Sequence, residues 1–209
     1  MRYIYLHGFA SSCQSQKGQW LRDRFAETGI KLELIDFNQA DFTHLTLTRQ
    51  IQQVQQALLP HQPTTLIGSS FGGLTAAWVA ETTPQVQQLV LLAPAFQFLA
   101  QWLPQFDPDQ LQAWQAGKSL GVYHYGYGQV MSLDYAFVQD LAKYDETDLR
   151  RAVPTLVLHG QADETIAYSV SQDFVATRSW VTLCPLNSDH GLTDVMAEVW
   201  QPIQKFCRA

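Results

Sequence analysis

Gly68-Ser69-Ser70-Phe71-Gly72 sets a serine between two glycines, each two residues away. This G-x-S-x-G spacing serves nucleophilic attack. The glycines let a strand turn sharply into a helix, which lifts the serine hydroxyl clear and aims the next backbone N–H at a developing oxyanion. A second match, Gly117-Lys118-Ser119-Leu120-Gly121, lacks that context. Ser70 follows the apolar pair Leu66-Ile67 and opens a helix-period segment. Ser119 instead follows the helical end 112–116 and leads into Val122-Tyr123-His124. Gly117 therefore reads as a helix stop and Ser119 as a loop residue. Nor is the Gly-Lys-Ser tripeptide a P-loop, since Gln112 stands where the first glycine is needed.

A serine nucleophile needs a base, and the base needs a carboxylate to orient it, in the chain order Ser, Asp/Glu, His. His159-Gly160-Gln161-Ala162-Asp163 and Ser188-Asp189-His190-Gly191 each fall just past the end of an apolar strand. These are the positions where ligand-facing loops leave a parallel sheet. Asp163 and His190 are the expected partners of Ser70. Glu164 should point elsewhere, and Asp189 is too close to His190 to orient its ring. His7-Gly8-Phe9, after the first strand, should supply the second oxyanion donor, so the Phe9 N–H would pair with that of Phe71.

The remaining histidines read differently. His7 and His159 end strands before glycine and should make structural hydrogen bonds, while His44 and His61 flank a surface helix. His124 lies among tyrosines and reads as packing, with a substrate contact as the alternative. No HExxH occurs, and no GxGxxG opens a helix after a strand, so neither a metal nor a dinucleotide cofactor is expected.

The elements that must hold these residues are short apolar runs alternating with helix-period segments. Strands are expected at 3–6, 31–35, 64–67, 89–93, 155–159 and 180–184. Helices are expected at 17–28, 43–59, 71–81, about 169–176 and 192–206. Such alternation means a parallel sheet covered on both faces, an α/β class fold, here in the order 2-1-3-4-5-6. One domain over 1–209 is expected. The interval 95–150 breaks the pattern and reads as helices at 108–116 and 133–143 around a Gly/Tyr-rich loop, a partial lid over one end of the sheet.

Of 209 residues only 15% are charged, and 25 glutamines replace much of the usual surface charge. Residues 1–90 carry six basic and six acidic side chains; residues 91–209 carry seven and thirteen, which supplies the whole −6. Eleven of the 25 aromatics fall between 95 and 150. An acidic, aromatic mouth would suit neutral or weakly charged apolar substrates better than polyanions. No basic stripe exists to bind nucleic acid. Three cysteines without CxxC spacing favour a reducing compartment, and no apolar run is long enough for a signal peptide or a membrane span. Cytoplasmic residence is the expectation.

Leu6-His7-Gly8-Phe9, Gly68-Ser69-Ser70-Phe71-Gly72-Gly73, His159-Gly160-Gln161-Ala162-Asp163 and Asp189-His190-Gly191 together resemble the α/β-hydrolase superfamily. More narrowly, the early Leu-His-Gly-Phe-x-Ser-Ser resembles the small bacterial YqiA/YcfP-type esterases, over essentially the whole chain. The resemblance implies a minimal α/β-hydrolase fold with catalytic roles on Ser70, Asp163 and His190. One departure is Ala93-Pro94-Ala95, where Asn-Pro-Ala is the family pattern.

These readings converge on hydrolysis of a small-molecule carboxylic ester or thioester. Phe96, Phe98, Trp102 and Tyr123 are expected either to line an acyl pocket or to pack a core beneath the lid. Two alternatives are a menaquinone-pathway-type lyase using the same triad, whose anionic substrate calls for an arginine cluster, and a non-catalytic binding module on a hydrolase scaffold.

Overall fold

The computed structural model describes residues 1–208. In chain order, β1 (Arg2–Leu6), α1 (Gln16–Glu27), β2 (Leu32–Ile35), α2 (Leu47–Ala57), β3 (Thr64–Ser69), α3 (Phe71–Thr82) and β4 (Val86–Leu92) alternate strand with helix. Then come α4 (Phe98–Trp102), α5 (Pro108–Gln115), β5 (Leu120–His124), β6 (Gln129–Leu133) and α6 (Ala136–Leu141). The chain closes with β7 (Thr155–Gly160), α7 (Tyr168–Ala176), β8 (Val181–Leu186) and α8 (Met196–Arg208).

Six parallel strands form one sheet, ordered β2-β1-β3-β4-β7-β8. This is the expected 2-1-3-4-5-6 order counted over the parallel strands alone. Every residue of β3 and β7 is buried, as strands covered on both faces require. On one face α1 and α8 pack Leu21, Phe25, Val199 and Ile203 against Tyr3, Tyr5 and Leu156. On the other, α3 is buried from Phe71 through Ala80 and is itself covered by Ile51 and Val54 of α2. A helix apolar on all sides can only sit in such a middle layer.

Two helices start four residues later than the sequence expectation. Thr46 caps α2, its side chain accepting from the Arg49 N–H, so the helix starts at Leu47 rather than at 43. α8 begins at Met196, because Leu192 takes a positive φ of 53° before it.

Between α5 and α6 the expected loop is an antiparallel hairpin, β5 with β6, and Leu133 closes β6 instead of opening a helix. Alternation explains it: Leu120, His124 and Leu133 face inward and are buried, while Tyr123, Tyr125 and Val130 face outward. The hairpin is tied down by Trp114 Nε1–H donating to the Leu133 carbonyl at 2.8 Å and by His124 Nε2 on Asn38 Oδ1 at 3.0 Å. Among the described residues no helix is long and apolar enough to cross a membrane.

Candidate active site

Ser70 stands between the last residue of β3 and the first of α3, at φ 53° and ψ −119°. A non-glycine residue in that region is strained, and it persists only where its surroundings over-determine it. The flanking glycines supply that constraint. A Cβ on Gly68 would strike the Gly72 carbonyl, and one on Gly72 would strike the Leu6 carbonyl of β1. Helix and sheet are thus in backbone contact at the elbow.

The strand-end loops bring the expected partners to this serine. His190 Nε2 lies 3.0 Å from Ser70 Oγ, and His190 Nδ1 lies 2.7 Å from Asp163 Oδ2. The Asp163 side chain is fully buried. Burial pushes its carboxyl up, but hydrogen bonds from His159 and His190, the His190 charge and the Ile166 N–H outweigh it. The group is held well below the ordinary carboxylate range. Its other oxygen accepts the N–H groups of Thr165 and Ile166 at 2.9 and 2.8 Å. Asp189 instead accepts from the Gly191 and Leu192 N–H groups, so it shapes the loop that carries His190.

Gly8 packs against Ser70, and the Phe9 ring is wedged among Phe42, Phe71, Phe98, Trp102 and Phe137 at centroid distances of 5.3–6.1 Å. This cluster holds the loop after β1 beside the elbow. Among the described residues, neither the Phe9 nor the Phe71 N–H donates to a protein acceptor.

His159 does more than its position at the end of β7 suggested. Its Nδ1 lies 2.7 Å from Ser171 Oγ, and its Nε2 lies 3.0 Å from the Ile166 carbonyl and 3.1 Å from Asp163 Oδ2. A carbonyl only accepts, so Nε2 carries the proton and reaches both oxygens. The one sequence signal for this was the His-x-x-x-Asp spacing itself.

Ser70 and His190 open into a cleft of about 920 Å³. Phe98, Trp102 and Tyr123 line it, and so do Val122 and Tyr125, which the sequence reading did not single out. Phe96 does not line it. The Phe96 ring is buried and stacked on Phe174, with centroids 4.0 Å apart, because the chain turns through Ala93 and Gln97, both at positive φ. The mouth is aromatic as expected, yet among the described residues no carboxylate lines it. The acidic excess is used elsewhere: Asp107 and Asp145 cap helical turns, and Asp194 takes the Ser188 hydroxyl. Ser119 Oγ contacts Asp134 at 3.1 Å and does not line the cleft. Among the described residues, no cluster of His, Cys, Asp or Glu could hold a metal ion.

A doubly covered parallel sheet of this order, with a serine at the elbow after its third strand, defines the α/β-hydrolase fold. Three solved structures share it. Est1E from Butyrivibrio proteoclasticus, with ferulic acid bound, superposes with a TM-score of 0.80 at 18% identity, covering 98% of this chain and 86% of that one. Alpha/beta hydrolase domain-containing protein 10 from mouse gives 0.72 at 17% identity, covering 97% and 89%. The monoacylglycerol lipase of Paleococcus ferrophilus gives 0.72 at 17%, covering 90% and 85%. No curated protein matches the chain. Residues 2–207 match the family described as Uncharacterised protein family (UPF0227), and the chain belongs to that family.

Proposed function

We infer that the protein is a serine hydrolase of carboxylic esters or acyl thioesters, working through an acyl-enzyme on Ser70. The observation that carries this reading is the continuous line of hydrogen bonds from Asp163 through His190 to Ser70, at 2.7 and 3.0 Å. Ser70 Oγ attacks the acyl carbonyl while His190 Nε2 takes its proton. Asp163 fixes the tautomer and steadies the imidazolium that forms. The N–H groups of Phe9 and Phe71, free of protein acceptors, receive the oxyanion, and such donors are worth about 3 kcal/mol each in the transition state. His190 then protonates the leaving group, and water, activated by the same ring, releases the acid.

Phe98, Trp102 and Tyr123 hold the apolar acyl part, and residues 95–150 act as a partial lid on one domain spanning 1–209. The hydrolase and lipase names among its structural neighbours support a hydrolase. The three cysteines are unpaired, in keeping with a cytoplasmic location. A lyase acting on a multiply anionic substrate is disfavoured, since among the described residues the cleft lining carries one lysine and no arginine. Turnover of p-nitrophenyl butyrate should fall at least about 10⁴-fold in Ser70→Ala with the thermal midpoint retained. Equal turnover in that variant would overturn the reading.

A further inference from the structure

The cleft has two unlike walls. Phe98, Trp102, Tyr123 and Tyr125 make one aromatic. The other is the turn from β1 into the first turn of α1, where hydroxyls and amides from residues 11–16 line the cleft together with Lys17. Among the described residues, Lys17 is the sole lysine or arginine that lines the cleft. Its Nζ has one protein acceptor, the His190 main-chain carbonyl at 3.5 Å, and among the described residues no carboxylate pairs with it.

An ammonium has three protons to donate, and this one uses a single long contact. Burial pushes its pKa down to about 8, against the attraction of Asp163 and Asp189. Both of those carboxylates are already engaged by imidazole and backbone N–H donors, and neither lines the cleft. A cation kept half-buried across the cleft from an aromatic wall, with two of its three donors free of protein acceptors, is stabilised by an anion arriving from outside.

Where Lys17 stands decides which part of a substrate it meets. In acyl transfer the leaving group takes its proton from His190 Nε2, so it must lie beside His190, whereas the acyl chain extends away from Ser70 along the aromatic wall. Lys17 is beside the His190 main chain. Resting on the Ser70–His190–Asp163 reading above, we propose that the preferred substrates are esters or thioesters with an apolar acyl part and a leaving group that bears one carboxylate, which Lys17 binds. One cation matches one charge, and the aromatic wall offers nothing to a charge on the acyl side.

The test compares butyrate esters of 4-hydroxybenzoate and of its neutral isostere 4-hydroxybenzamide, each rate normalised to that with hydroxide. Mono-4-nitrophenyl succinate against 4-nitrophenyl butyrate reports charge on the acyl side. The wild-type protein should prefer the benzoate over the benzamide by about tenfold or more in kcat/KM, mainly through KM, and should show no preference for the succinate. Lys17→Met should bring the benzoate-to-benzamide ratio to near one, and Lys17→Arg should keep it above one. A wild-type ratio near one, with both esters turned over, overturns this proposal and leaves the hydrolase reading standing. So does an unchanged ratio in Lys17→Met. Absence of turnover on all four esters, with no fluorophosphonate adduct on Ser70, overturns both.

Discussion

His159 Nε2 and His190 Nδ1 converge on the same atom, Asp163 Oδ2, at 3.1 and 2.7 Å. The carboxylate between them is therefore held from the sheet side as well as from the cleft. The Ile166 carbonyl fixes the proton on His159 Nε2, so the Ser171 hydroxyl, on α7, donates to His159 Nδ1 and belongs to the same line of contacts.

His159→Phe removes one donor from Asp163 and leaves the Ser171 hydroxyl and the Ile166 carbonyl without their partner. Unfolding free energy in urea should fall by about 2 kcal/mol at pH 7. Because the Asp163 carboxyl is held below its unfolded value, its contribution is full above about pH 4 and is lost as pH falls further. In the variant the Asp163 carboxyl should titrate closer to the ordinary carboxylate range, as read by carboxyl 13C NMR, and the stability gap should narrow only once pH falls through that higher folded-state value. An unchanged Asp163 titration would show that His159 supports the fold without acting on Asp163.

Gly72→Ala drives a methyl into the Leu6 and His7 carbonyls and must push α3 off β1. A stability loss of about 2–3 kcal/mol is expected, together with loss of ester turnover. Ser119→Ala, in the other G-x-S-x-G sequence, should leave turnover unaltered. A Gly72→Ala protein with wild-type melting and rate would contradict the elbow packing.

Trp102 and Phe96 are both aromatic and lie six residues apart, but only Trp102 lines the cleft. Trp102→Ala should raise kcat/KM for octanoate relative to butyrate by about tenfold. Phe96→Ala should cost about 3–5 kcal/mol through the lost Phe174 stack and leave the chain-length profile as it was. Rates on a graded series of p-nitrophenyl esters, with melting curves alongside, separate the two.

The parallel sheet was legible because each strand is an aliphatic run, such as Leu89–Leu92 beside Val157 and Leu158, and each crossover has helical period. The Ser70, Asp163 and His190 loops were legible for the same reason, as strand ends. The β5–β6 hairpin was not: its inward residues include His124, a polar ring that hides the two-residue alternation, and its glycines read as loop. The facing of Phe96 depends on positive φ at Ala93 and Gln97, which neither residue type announces. Lys17 looked like an ordinary helix start, and its place beside His190 arises from contacts 173 residues apart.

The central claim is that Ser70 is the nucleophile, and a fluorophosphonate probe tests it most directly. Intact-mass analysis should show one adduct per chain, peptide mapping should place it on Ser70, and Ser70→Ala should abolish it. An adduct that survives in Ser70→Ala, or that maps to Ser119, would contradict the account.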